Sequence, residues 1–174
     1  MNSTANKSAA ENDLFDLETI AESFSAAPQK SSSGAEKYIV FSLGEDFYAV
    51  SSKQITEIIR PLDAAPLPNA PRWLSGIANL RGEIVPVIDL QKFLSNKIVA
   101  DAPKSKFIVF RPAGSSAAIA FAVGSLNEIV GLSGEQIETV KDADAPYIFG
   151  QAVYKSNALL RLLDLENLSS SLSI

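Results

Sequence analysis

Apolar residues along this chain come in short runs cut by Gly, Pro, Asn or Ser, with little sustained helical period. Runs of this kind, rich in Val, Ile, Phe and Tyr, predict β-strands. The clearest lie at 47–50, 76–80, 84–88, 107–110 and 119–123. Pro86 falls inside one of them, so that strand is expected at a sheet edge or with a bulge. Helical turns are expected only at 52–58, 89–94 and 126–130. Within 55–59, Ile55 and Ile59 are expected to face inward and Glu57 outward.

The pattern is written twice. Tyr38-Ile-Val-Phe41 returns as Phe107-Ile-Val-Phe110, an offset of 69. Ile55-Thr-Glu57-Ile58 returns as Leu126-Asn-Glu128-Ile129 (offset 71), Gly76 as Gly150 (74), and Ile88-Asp89-Leu90 as Leu163-Asp164-Leu165 (75). The drift implies small insertions, and the whole implies two homologous halves, 37–100 and 104–168. Five short strands in each half predict an all-β fold of two tandem small five-stranded β-barrels, closure being one way to remove edges.

Residues 1–36 differ from the rest. They set two lysines against six carboxylates, a net charge of −4, and end in a plain linker at 29–35. Asn12 or Asp13 is placed to cap a short helix with Leu14, Leu17, Ala21 and Phe24 on one face. This reads as a docking peptide or as a flexible acidic extension. The other 138 residues carry 13 basic and 14 acidic groups, so the globular part has no electrostatic footprint for nucleic acid. At 47 % hydrophobic the chain can bury a core. With no cysteine and no histidine, thiol nucleophiles, disulfides, imidazole bases and zinc fingers are excluded. No cofactor, metal site or catalytic group is expected. Neither a long apolar run nor a basic-then-apolar leader is seen, so a cytoplasmic protein without direct membrane insertion is expected.

The densest signal is 67–90. Pro66, Pro68 and Pro71 forbid a long helix there. Strands at 76–80 and 83–90 then flank Arg81-Gly82, a two-residue hairpin turn whose glycine supplies positive φ. The turn displays one arginine between apolar strands, either as a contact residue or as an ordinary solvated turn arginine. Arg81 and Glu57 are also placed to pair with each other. Gly76 and Gly150 mark close backbone approach or positive φ. Glu83 and Asp89, six residues apart in a strand, lie nearly ~20 Å from one another, too far for joint acid–base work. Asp89 and its echo Asp164 read as caps after their strands. Asp142-Ala-Asp144 lacks the glycine and terminal glutamate of a calcium loop. Trp73 reads as the plug at one end of the first barrel.

Pro68-x-x-Pro71, Gly76, Asn79-Leu80-Arg81-Gly82-Glu83 and Val85-Pro86-Val87-Ile88-Asp89-Leu90 resemble the signature of the CheW coupling proteins of bacterial chemotaxis. The likeness extends more weakly from Tyr38 to Leu168 and leaves out 1–36. It implies two packed five-stranded barrels with an apolar groove between them. It implies a non-enzymatic adaptor that bridges the cytoplasmic tips of chemoreceptors to the regulatory domain of a CheA-type histidine kinase. It puts Arg81 in the receptor-contacting surface, with Gly76, Asn79, Leu80 and Gly82 around it and Ile55 and Glu57 in a second contacting element. Strands around 41–50 are a candidate kinase contact. The chain departs from the family in having Val123-Gly124 where Val-Asp is usual, and in its acidic extension. Both suggest a specialised branch, serving pilus-driven or light-directed movement. The remaining alternatives are a small-barrel enzyme and a barrel that binds single-stranded nucleic acid, which should be basic with exposed aromatics.

Overall fold

The computed structural model describes residues 34–95, 104, 106–142 and 144–172. The expected helix at Leu14, Leu17, Ala21 and Phe24 lies outside them. The strands are β1 (Glu36–Leu43), β2 (Asp46–Ser51), β3 (Ile55–Ile59), β4 (Leu74–Leu80), β5 (Glu83–Asp89), β6 (Lys106–Phe110), β7 (Ile119–Val123), β8 (Ser125–Leu132), β9 (Glu138–Thr139), β10 (Ile148–Tyr154) and β11 (Ala158–Leu163). Two short helices follow the last strand of each repeat, α1 (Leu90–Leu94) and α2 (Leu165–Ser171). The sheets run β8-β1-β2-β11-β10-β9 and β3-β6-β7-β5-β4. All pairings are antiparallel except β2 with β11 and β5 with β7.

The duplication is therefore present, but its halves are interwoven. Each sheet takes the first hairpin of one repeat and the last three long strands of the other. Chain order makes this simple: the five-stranded lobe is the continuous stretch 55–123, and the six-stranded lobe joins 36–51 to 125–163. The expected units 37–100 and 104–168 are repeats of sequence and not units of packing. Residues 52–54 make one crossing between sheets, and Gly124 alone makes the other. Gly124 donates its N–H to the Ser42 carbonyl at 3.1 Å, and a Cβ there would come within 2.6 Å of that oxygen. The departure from Val-Asp thus has a packing cause.

The hydrogen-bond ladders do not close into barrels; the sheets curl instead. Tyr38, Val40, Ala49, Val130, Ala152, Leu160 and Leu162, drawn from five strands, meet in one core. Ala78, Val85, Val87, Phe107, Val109, Ala120 and Ala122 form its counterpart. Between the lobes lies a third, larger core that includes Ile39, Phe41, Val50, Ile88, Ile108, Phe110, Phe121 and Leu163. This explains the unbroken apolar runs. In β1, Tyr38 and Val40 face their own lobe while Ile39 and Phe41 face the shared core, so neither side can be polar. The junction of the lobes, along which the resemblance implied an apolar groove, is packed by this core.

Three local expectations change. Residues 55–58 and 126–130 are strand and not helical turns, because their β-branched and leucine side chains are needed on the cores. Pro86 sits in neither an edge strand nor a bulge. β5 is flanked by β4 and β7, but its ladder with β7 begins at Val87, so the missing N–H of Pro86 breaks no bond there. Trp73 packs on the shared core, edge-on to Phe93 with ring centroids 5.6 Å apart, and does not plug a barrel.

Candidate functional site

Both residues of the β4–β5 turn are left-handed, Arg81 at φ 53° and Gly82 at φ 91°, as a type I′ turn requires. The glycine does not carry the turn alone. Asn79 secures it, its Oδ1 accepting the Gly82 N–H at 2.7 Å. Asn79 is thus a strut of the tip, and Leu80 packs partly buried against the lobe core beneath it. Across the hairpin from Asn79 stands Ile84, 57 % exposed.

Glu57 reaches the same tip from the opposite edge of the sheet. β3 carries a bulge, its register with β6 skipping between Ile55 and Glu57. The extra residue re-aims the strand. Ile55 and Ile58 both turn onto the shared core, while Ile59 packs against the lobe core. Ile55 and Ile59 thus both point inward, as expected, but onto different cores, and Ile58 joins Ile55 on the shared one. Glu57 Oε2 accepts the Arg81 Nη2 donor at 2.7 Å, with the arginine side chain 54 % exposed and the glutamate 17 %. An exposed pair of this kind contributes ~1 kcal/mol at most. Its effect is geometric: it ties edge strand β3 to the hairpin of edge strand β4 and holds the guanidinium in one place.

The other sequence candidates lie elsewhere. Gly76 is buried farther up β4 at φ 140°, and a Cβ would fall 2.1 Å from the Ala65 carbonyl oxygen. It seats the 60–73 connection on the strand through the Ala65–Ile77 bridge. Ile55, 7 % exposed, belongs to the shared core. Residues 41–50, the candidate kinase contact, are mostly buried interior strands, with exposure confined to the 44–46 turn. Glu83 takes both terminal nitrogens of Arg111, at 2.8 and 3.1 Å, and the Ala118 N–H at 2.9 Å. The Arg111 hydrogen bond leads the backbone bond in holding its carboxyl below the usual range. Asp89 caps α1 through the Lys92 N–H at 3.1 Å, and Asp164 caps α2 through Glu166 and Asn167.

The six-stranded lobe repeats the tip arrangement with different chemistry. Glu128 follows a bulge in β8 at the same repeat position as Glu57, and takes Lys155 Nζ and the Tyr154 hydroxyl, each at 2.5 Å. Burial pushes the Glu128 carboxyl up, but the hydrogen bonds from Lys155 and Tyr154 outweigh it and leave it low. Burial, then Glu128 itself, push the Tyr154 hydroxyl up. The 71-residue offset already pointed to Glu128. Lys155 was missed, although the offset of 74 at the glycines carries Arg81 onto it.

Fold and site together define a duplicated, two-lobed β module whose lobe ends are latched by carboxylate–cation pairs. The CheW-like domain family model matches residues 37–173, and the chain belongs to this family. It is 28 % identical over 141 residues to a chemotaxis protein CheW of Treponema pallidum, covering 76 % of this chain and 81 % of that one. The Bacillus subtilis chemotaxis protein CheW is 27 % identical over 132 residues, 74 % of this chain and 83 % of that one. The crystal structure of scaffolding protein TtCheW from Thermoanaerobacter tengcongensis superposes with a TM-score of 0.66 at 26 % identity, over 77 % of this chain and 92 % of that one.

Proposed function

We propose that the chain is a non-enzymatic adaptor of bacterial chemosensory signalling, joining the cytoplasmic tips of chemoreceptors to the regulatory domain of a CheA-type histidine kinase. It works in the cytoplasm, recruited to membrane-bound receptor arrays. Among the described residues no helix is long and apolar enough to cross a membrane. Membership of the CheW-like family supports the role. The observation that carries the site is the Arg81 tip, braced by Asn79 on one side and Glu57 on the other. A surface fixed before its partner arrives gives up little conformational freedom on binding. Arg81 spends one nitrogen on Glu57, keeps further donors for a partner carboxylate, and has Ile84 beside it for apolar contact. The carboxylates that an enzyme reading would recruit, Glu83 and Asp89, are engaged in a loop anchor and a helix cap. With Gly124 explained by close packing, that departure gives no reason to prefer a pilus-driven output.

The test is calorimetric titration of a receptor-tip fragment into the chain, wild type against Arg81→Glu. Charge reversal is expected to weaken receptor binding roughly tenfold or more, since it removes the contact and repels Glu57. Unchanged affinity, with the fold intact by circular dichroism, removes Arg81 from the contact surface.

A further inference from the structure

The two lobes differ where each first hairpin meets the helix of its own repeat. In the five-stranded lobe the β6–β7 connection runs 111–118 and lies against the rest of the molecule. Its Arg111 is held on Glu83, and its Ala113 N–H donates to Glu166 Oε1 of α2 at 3.0 Å. In the six-stranded lobe the β1–β2 connection is only Gly44-Glu45, and Gln91 of α1 stands where Glu166 stands in α2. There the Gln91 Oε1 accepts Lys104 Nζ at 2.9 Å, and among the described residues no hydrogen bond joins Gln91 to the β1–β2 connection. What remains is an open cleft of about 690 Å³.

The chemistry of this cleft is uneven. Its floor is apolar and aromatic, with Tyr48, Leu94, Tyr147 and Ile148. Among the described residues that line it, its rim carries Glu45, Asp46, Asp142 and Asp144 against one cation, Arg161. That guanidinium is already taken, bonded to Asp46 at 3.0 Å and lying 5.6 Å over the Tyr48 ring. Glu45, Asp142 and Asp144 are exposed and form no ion pair among the described residues. The Tyr147 hydroxyl is pushed up by burial and then by the charge of Asp142, so the rim's potential is felt inside.

We propose that this cleft is a second docking site, which takes an arginine- or lysine-bearing extended segment of a partner protein. The cation meets the rim, and an adjacent apolar side chain lies on the tyrosine-lined floor. The chain contains its own precedent, since at the counterpart position an arginine and a backbone N–H are held on two carboxylates. The contact adds to the adaptor role, is remote from Arg81, and is tested apart from both.

The experiment titrates full-length, nitrogen-15-labelled protein with the acetylated, amidated peptide Ala-Arg-Leu-Ala-Arg-Leu. Amide shifts are expected at 43–48, 91–95 and 144–148, weakening as salt is raised. A citrulline-for-arginine peptide should leave these signals in place. E45K/D142K should weaken binding roughly tenfold or more, and the shape-preserving E45Q/D142N by less. An unchanged spectrum away from the cleft shows that these variants fold. The proposal is overturned if shifts are missing at these residues with millimolar peptide. It is equally overturned if citrulline peptide binds as well, or if E45K/D142K binds like wild type. Receptor and kinase binding are measured on the same samples. Peptide binding without complex formation overturns the adaptor role alone, and complex formation without peptide binding overturns the cleft alone.

Discussion

At Gly76 the chain has room for a hydrogen and nothing larger, since a Cβ would fall 2.1 Å from the Ala65 carbonyl oxygen and φ is 140°. Gly76→Ala should therefore lower unfolding free energy by ~2–4 kcal/mol in urea titration; a loss below ~0.5 kcal/mol would contradict the packing described. Glu83 makes a pH prediction. Its carboxyl is held low, chiefly by the Arg111 hydrogen bond. The native state thus binds its proton less readily than the unfolded chain does. The stability from Glu83 is present above the ordinary value of 4.5 and drains away as pH falls through the lowered one. Thermal melts of Glu83→Gln between pH 7 and 3 should lose less stability on acidification than wild type. Parallel curves would show that Glu83 is not linked to folding.

Among the elements, the two helix caps are the easiest to compare. Asp89 and Asp164 hold equivalent places, but Asp89 is 4 % exposed and also takes Lys104 Nζ at 3.1 Å. Asp164→Ala should cost ~1 kcal/mol, the usual value of a lost cap. Asp89→Ala should cost ~2–3 kcal/mol, because it also leaves a largely buried lysine without its carboxylate. Equal losses in chemical unfolding would refute the difference in roles. Both caps were legible in the sequence, as an aspartate stands just before an apolar turn. So was the Arg81 turn, since Arg-Gly between apolar strands has few other solutions. The bulges at Thr56 and Asn127 were not legible. Strand alternation assumes one residue per step, and the extra residue is specified by which cores need filling and not by local preference. That is why Ile55 and Ile58 share a core although they stand an odd number of residues apart.

For the whole molecule, the duplication was legible and its weaving was not. Offsets between similar segments report common ancestry of strands, and they are silent about which strand pairs with which. The weave has a measurable consequence. Cutting the chain between Ser95 and Lys104 separates the repeats but leaves neither fragment with a complete sheet. Each fragment alone should lack a cooperative thermal transition by circular dichroism, and mixing the two should restore one. A stable fold in either fragment alone would contradict the topology. The packed core between the lobes also bears on function. It makes the two lobe ends parts of one rigid body, so partners held at different ends keep a fixed relation to one another. Coupling between receptor and kinase is then a free energy transmitted through a shared complex. The most direct test is the rate of kinase autophosphorylation in a reconstituted mixture of receptor fragment, CheA-type kinase and this chain. The predicted result is a rise that needs all three components and is lost with Arg81→Glu. A rate indifferent to whether the chain is present would contradict the adaptor role.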